Sequence, residues 1–289
     1  MVFWFMADKE LIKSLEKKAL EIRCDLLDLC AHTFIHIGGD LSLTDMMTAI
    51  WQYGLKYDAK NPYWEERDRF VLSKGHAAAV TSFNQVMIGC YEKQDIFNEY
   101  ATDFGRFGMH SCNLINPYVE VSTGSLGHGL PVATGIACAL KAKGSKSRVF
   151  TVMGDGEQQE GTIWEAAMFA HQYKLGNLVG FIDRNKLSLD AHTEDEMALE
   201  PLDEKWRAFG WNVVKIDGNN MEQIVEAIDN LPAPDSDVPT LILGETVKGK
   251  GVPFMEDRVE WHAGMVSTED CEMAKEGLRK AFVEKWGEL

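Results

Sequence analysis

The stretch from Arg148 to Asn185 constrains the fold more than any other. Arg148-Val149-Phe150-Thr151-Val152-Met153 is apolar and β-branched, with the character of a buried parallel strand that ends where Gly154-Asp155-Gly156 begins. Ile163, Ala166, Ala167 and Ala170 then recur at helical spacing, and Leu178-Val179-Gly180-Phe181-Ile182 gives a second buried strand stopping at Asp183-Arg184-Asn185. Strand, helix and strand make one right-handed crossover unit. The carboxyl ends of its strands lie side by side, so Asp155 and Asn185 converge outside the sheet although they are distant along the chain.

A carboxylate and an amide oxygen are hard ligands suited to Mg²⁺ or Ca²⁺, and Mg²⁺ sites commonly add the oxygens of a bound phosphate. Gly154 and Gly156 would let backbone N–H groups approach that phosphate closely. One reading is a metal-bridged diphosphate site. The same residues also satisfy a tight strand-to-helix turn with Asn185 as a turn former.

The remaining chain supports an α/β fold. Leu15, Ala19, Ile22, Leu26 and Leu29 put one apolar face on a helix from Asp8 to about His32. Thr44 to Leu55 reads as another helix, with His36-Ile37-Gly38-Gly39 in the connection. Phe70 to Ser73 is a short strand followed by Lys74-Gly75-His76, which admits either a phosphate contact or a helix N-capped by Ser73. Phe104 to Pro117 reads as an ordered loop carrying His110, and Ser122 to Gly129 opens a helix to about Leu140. An acidic loop runs from Asp190 to Leu202. Trp211 to Ile216 and Thr240 to Glu245 read as strands, Met221 to Leu231 as a helix, and Thr246 to Val252 as a mobile basic loop whose lysines could simply be solvated. Within 265–289, Glu269 to Trp286 is a packing helix. Alternating strands and helices predict a mainly parallel sheet with helices on both faces.

With 289 residues, 45% of them hydrophobic, one large domain over 1–289 is expected. No run reaches the roughly 18 apolar residues of a membrane span. Met1 to Met6 is too short for a signal-peptide core, and the six cysteines lack a CxxC pair, so a cytoplasmic protein with reduced, mostly core thiols is expected. The net charge of −16 argues against nucleic acid and leaves proteins and metabolites as partners.

Gly154-Asp155-Gly156, a helix and then Asn185 resembles the thiamine-diphosphate motif. The runs Glu157 to Gly161 and Asn185 to Asp190 resemble the transketolase family in particular, as do His36-Ile37-Gly38-Gly39, Ser73-Lys74-Gly75-His76, Thr123-Gly124-Ser125-Leu126-Gly127 and Trp261-His262. The resemblance implies the thiamine-diphosphate-binding fold, with thiamine diphosphate and Mg²⁺ as cofactors and Ca²⁺ or Mn²⁺ as substitutes. It implies metal ligation by Asp155, Asn185 and the Leu187 carbonyl. Cofactor contacts would come from His76, Gly124, Ser125, Leu126, Gly154, Gly156, Glu160, Asn185 and His262. His36, His110 and His262 would be catalytic, orienting substrate hydroxyls and transferring protons. Glu160 and Glu165 would approach their symmetry mates. Three positions depart from the family pattern: Ile37 and Ser111 stand where proline is usual, and His128 replaces glutamine.

The resemblance runs from about Ala7 to Gly264 and covers only the diphosphate-binding portion of a transketolase. It implies the N-terminal subunit of a split enzyme that moves a two-carbon ketol unit from a ketose to an aldose through a thiamine-diphosphate adduct. A separate C-terminal subunit would complete a heterotetramer and grip the anionic distal group of the sugars. The alternatives are the alpha subunit of a 2-oxo-acid dehydrogenase, which shares the metal motif, and a non-catalytic scaffold or regulatory subunit that keeps the fold.

Overall fold

The computed structural model describes residues 8–289; the Met1 to Met6 stretch lies outside them. Helix α1 (Lys9–His32) is N-capped by Asp8, whose carboxylate accepts from Glu10 N at 3.1 Å. It buries Leu15, Ala19, Ile22, Leu26 and Leu29, the face that its periodicity predicts. Helix α2 (Ile37–Ala49) follows and ends in a π-helical turn over Ile50–Gly54. Next come β1 (Arg69–Leu72), α3 (Ala78–Met87), α4 (Lys93–Glu99) and α5 (Gly129–Ala142). The crossover unit is β2 (Val149–Gly154), α6 (Gly161–Gln172) and β3 (Leu178–Arg184). The chain then forms α7 (Thr193–Glu196), α8 (Leu202–Ala208), β4 (Asn212–Asp217), α9 (Met221–Asp229), β5 (Thr240–Glu245) and α10 (Thr268–Trp286).

Among the described residues, five strands form one all-parallel sheet in the order β1-β2-β3-β5-β4. Successive strand residues face opposite sides, so each central strand feeds two cores. Phe150, Val152, Val179 and Phe181 join the core built with α1, α2, α3, α9 and α10. Val149, Met153, Leu178 and Ile182 join the core built with α5, α6 and α8.

Four local expectations need correction. The glycines after His36 lie inside α2 rather than in a connection. A Cβ on Gly38 would sit 2.3 Å from the backbone oxygen Trp261 O, so close packing fixes that residue, while one on Gly39 would sit 3.0 Å from the Lys74 Nζ tip. Ser73 caps no helix; its hydroxyl donates to the buried Glu157 carboxylate, and α3 begins only at Ala78. The acidic segment beyond Asp190 contains the one-turn α7. All six cysteines are free, but only Cys30 and Cys271 are fully buried.

Candidate active site

The carboxyl ends of β1, β2, β3 and β5 deliver their following residues to one cavity of about 370 Å³. Gly154 pairs in register with Asp183, so Asp155 and Asn185 leave neighbouring strands at nearly the same height. Both line the cavity together with Leu187. The convergence expected from the crossover unit is therefore present.

Asp155 is buried at 2% exposure. Its Oδ1 accepts from Gly156 N at 2.8 Å, and its Oδ2 accepts from Lys186 N at 2.5 Å and Arg184 Nη1 at 3.1 Å. Burial, followed by the neighbouring Asp183, pushes its pKa up, and Arg184 pulls against that rise. Asn185 donates through Nδ2 to Asp183 Oδ2 at 3.0 Å, while its Oδ1 accepts from Leu187 N at 3.1 Å. The Leu187 carbonyl accepts from Lys248 Nζ at 3.3 Å. Carboxylate, amide and carbonyl oxygens are hard donors, and each keeps lone-pair capacity beyond these bonds, so the set fits a divalent ion such as Mg²⁺.

His36, His76, His110 and His262 line the same cavity. The His36 ring centroid lies 5.2 Å from that of His76, 5.6 Å from that of His110 and 5.7 Å from that of His262. His36 Nδ1 is buried without a hydrogen-bond partner among the described residues. Burial first, then the charges of His110, Lys74 and Lys248, lower its pKa to about 4. Burial, followed by Lys248 and Lys74, lowers His262 to about 3, and His76 is driven in the same direction. These three rings are therefore neutral at physiological pH and can both donate and accept hydrogen bonds.

Two lysines give the cavity its positive field. Lys74 is buried and ion-paired with Asp183 at 2.6 Å, and it also donates to Gly39 O at 3.2 Å. Lys248 is 2% exposed, so it is not a solvated loop lysine. Its Nζ donates to Ser188 O at 2.7 Å and lies 2.9 Å from His262 Nδ1. Gly249 and Gly251 take φ values of +76° and +92° and turn this segment back onto the site. Those two glycines are the sequence signal that could have revealed the role of Lys248.

Glu157 is a further residue that the sequence reading leaves without a role. It is 1% exposed, and it accepts from Gly127 N and Gly154 N at 2.9 Å each as well as from Ser73. It thereby joins the ends of β1 and β2 to the loop before α5. Gly124, Leu126, Gly154, Gly156 and Glu160 line the cavity. Ser125 does not line it and is exposed. His128 is likewise exposed, and its side chain makes no cap bond to α5.

Residues 20–282 match the family model described as "Transketolase, thiamine diphosphate binding domain". The chain belongs to this family. Within it, an apulose-4-phosphate transketolase subunit of Actinobacillus succinogenes is 38% identical over 267 residues, covering 92% of this chain and 96% of that protein. The 6-deoxy-6-sulfo-D-fructose transketolase subunit SqwG of Clostridium sp. is 39% identical over 84% of this chain and 89% of its own length. Among solved structures, transketolase from Leishmania mexicana superposes with a TM-score of 0.83 at 27% identity, over 93% of this chain but only 41% of that one. The expected fold and family both hold. Neither the 2-oxo-acid dehydrogenase alternative nor the scaffold alternative gains support from these relatives.

Proposed function

We propose that this chain is the N-terminal, diphosphate-binding subunit of a two-subunit transketolase that moves a two-carbon ketol unit from a ketose to an aldose. The observation that carries this reading is the single cavity in which Asp155, Asn185 and Leu187 meet His36, His76, His110 and His262. In this reading residues 1–289 act as one thiamine-diphosphate-binding domain. Asp155, Asn185 and the Leu187 carbonyl hold Mg²⁺, for which Ca²⁺ or Mn²⁺ can substitute. His76, Gly154, Gly156 and His262 hold the diphosphate with help from Lys74 and Lys248, and Gly124 and Leu126 face the rings.

When bound, thiamine diphosphate supplies the carbanion that the two-carbon transfer requires. The chain itself binds, orients and moves protons. His36, His110 and His262 orient the substrate hydroxyls, and a neutral imidazole can take a proton from one of them and return it. Buried Lys74 and Lys248 oppose the anionic cofactor within a chain whose net charge is −16.

A separate C-terminal subunit completes the active site at a subunit boundary, in a symmetric heterotetramer. The coverage supports this: the chain spans 96% of the Actinobacillus relative, whose own name makes it one subunit of a transketolase, but only 41% of a solved transketolase chain. Glu160 and Glu165, both exposed, are assigned to the contact between two copies of this chain. The two named relatives carry a phosphate or a sulfo group in their substrate names, which supports sugars with an anionic distal group. We place the protein in the cytoplasm, which its six free cysteines support. Among the described residues, no helix is long and apolar enough to cross a membrane.

The test is to assay the chain alone and co-expressed with the product of the neighbouring reading frame. Ketose donor plus aldose acceptor is compared with pyruvate plus an artificial electron acceptor. Ketol transfer only by the pair is expected. Strong transfer by the chain alone, or oxidation of pyruvate by the pair, contradicts the reading.

A further inference from the structure

We propose that Asp183 is the positioning residue that fixes the amide orientation of Asn185 and thereby sets metal affinity in the cavity. The inference rests on the cofactor reading above and on a buried network centred on Asp183.

Asp183 is 0% exposed near the end of β3. Its register partners on the two adjacent strands are Gly154 on β2 and Gly244 on β5, so neither neighbour has a side chain to fill the space beside its carboxylate. The Lys74 stem runs past Gly154, whose added Cβ would lie 3.7 Å from Lys74 Cδ. The carboxylate then gathers four donors from four segments. Lys74 Nζ donates at 2.6 Å, Ser42 Oγ of α2 at 2.7 Å and Asn185 Nδ2 at 3.0 Å, all to Oδ2, while the Thr246 hydroxyl donates to Oδ1.

An asparagine amide has one donating end and one accepting end. A carboxylate can only accept, so an ionised Asp183 admits only the NH₂ end of Asn185. The amide oxygen is left on the other side, where it already accepts from Leu187 N at 3.1 Å. An amide turned the other way would set its oxygen against the Asp183 carboxylate and offer an NH₂ group to the cation. Partners that orient a metal ligand in this manner typically govern affinity by about 10- to 100-fold.

The probe is Mn²⁺, titrated into the full chain in the presence of thiamine diphosphate and read as the free-ion signal in electron paramagnetic resonance. Asp183→Leu removes every acceptor at this position and is expected to weaken Mn²⁺ binding by more than about tenfold. Adding Asn185→Asp to Asp183→Leu is expected to restore it to within about threefold of the original, because a carboxylate at 185 presents oxygen in either orientation. A folded double variant that stays as weak as the single one, or a single variant that binds like the original, overturns the proposal. Asp183→Leu also strands the Lys74 charge, so the change is repeated in a Lys74→Met background. A further loss of about tenfold there sustains the proposal, and no loss overturns it. If the unaltered chain took up neither Mn²⁺ nor thiamine diphosphate, alone or co-expressed with its partner subunit, the cofactor reading would fail instead.

Discussion

Arg184 Nη1 donates to Asp155 Oδ2 at 3.1 Å, so the carboxylate assigned to the metal is already paired with a buried cation. The same guanidinium reaches Glu194 at 2.8 Å and Glu200 at 3.0 Å and ties the acidic segment after β3 to the site. Removing one partner of a buried pair leaves the other charge uncompensated, at a cost of about 3 to 5 kcal/mol. Arg184→Met should therefore lower the unliganded melting temperature. It should also enlarge the rise on adding Mg²⁺ and thiamine diphosphate, because the metal then supplies the missing positive charge. An equal ligand-induced rise in both proteins counts against this pairing.

The His36 pKa is lowered to about 4 by burial and then by the positive charges of its neighbours. An unfolded histidine titrates near 6.5, so the folded state binds fewer protons between these values. The stability that neutral His36 contributes is present above about pH 6.5 and is lost as the pH falls toward 4. An anionic diphosphate offsets the fields of Lys74 and Lys248, so its binding should move the His36 titration upward. Imidazole NMR with and without thiamine diphosphate and Mg²⁺ reads that shift; a downward or absent shift contradicts the assignment.

Asp40 shows the opposite pH dependence. It is 0% exposed, its Oδ1 accepts from Val80 N at 3.1 Å, and its Oδ2 has no partner among the described residues. Burial raises its pKa to about 7 against the pull of the Val80 N–H and Lys74; Tyr100 and Cys30 are the other titratable groups that feel its charge. The stability of its neutral form is present below about pH 4 and is lost as the pH rises to about 7. Asp40→Asn keeps an acceptor for Val80 N without the charge. Its advantage over the original chain should grow between pH 4 and 7 by up to about 1.4 kcal/mol per unit and then level off. Urea unfolding at several pH values measures the difference, and a flat difference refutes the argument.

Gly38→Ala should be costly for a steric reason. The new methyl would lie 2.3 Å from Trp261 O, which is backbone and cannot swing away. Overpacking of this kind costs about 1 to 3 kcal/mol. The displaced segment carries His262, so thiamine-diphosphate affinity should fall along with stability. Thermal melting and calorimetry of the variant together test this, and an unchanged affinity separates Gly38 from the site.

The sequence makes Asp155 and Asn185 legible as a pair because parallel-strand crossover geometry brings distant strand ends together. His36, His76, His110 and His262 are legible one by one, through family resemblance, but nothing in their spacing shows that the rings cluster about one cavity. Gly38 and Gly39 mislead, because glycine is a poor helix former and only tertiary packing puts it inside α2. Asp183 and Arg184 read as the polar end of a strand. Their partners at 42, 74, 194, 200 and 246 come from other segments, so no local pattern announces the network. Lys248 is missed for a similar reason: a lysine at the start of a glycine-rich turn looks solvated until the positive-φ glycines at 249 and 251 fold it inward.

The central claim is that Asp155 and Asn185 share a divalent ion that clasps a diphosphate. Calorimetric titration of thiamine diphosphate into the full chain, with Mg²⁺ and then with a chelator, tests it most directly, using Asp155→Ala as the comparison. The account predicts binding that needs Mg²⁺ and weakens by more than about tenfold in the variant. Equal affinity with chelator present, or equal affinity without the Asp155 carboxylate, would contradict it.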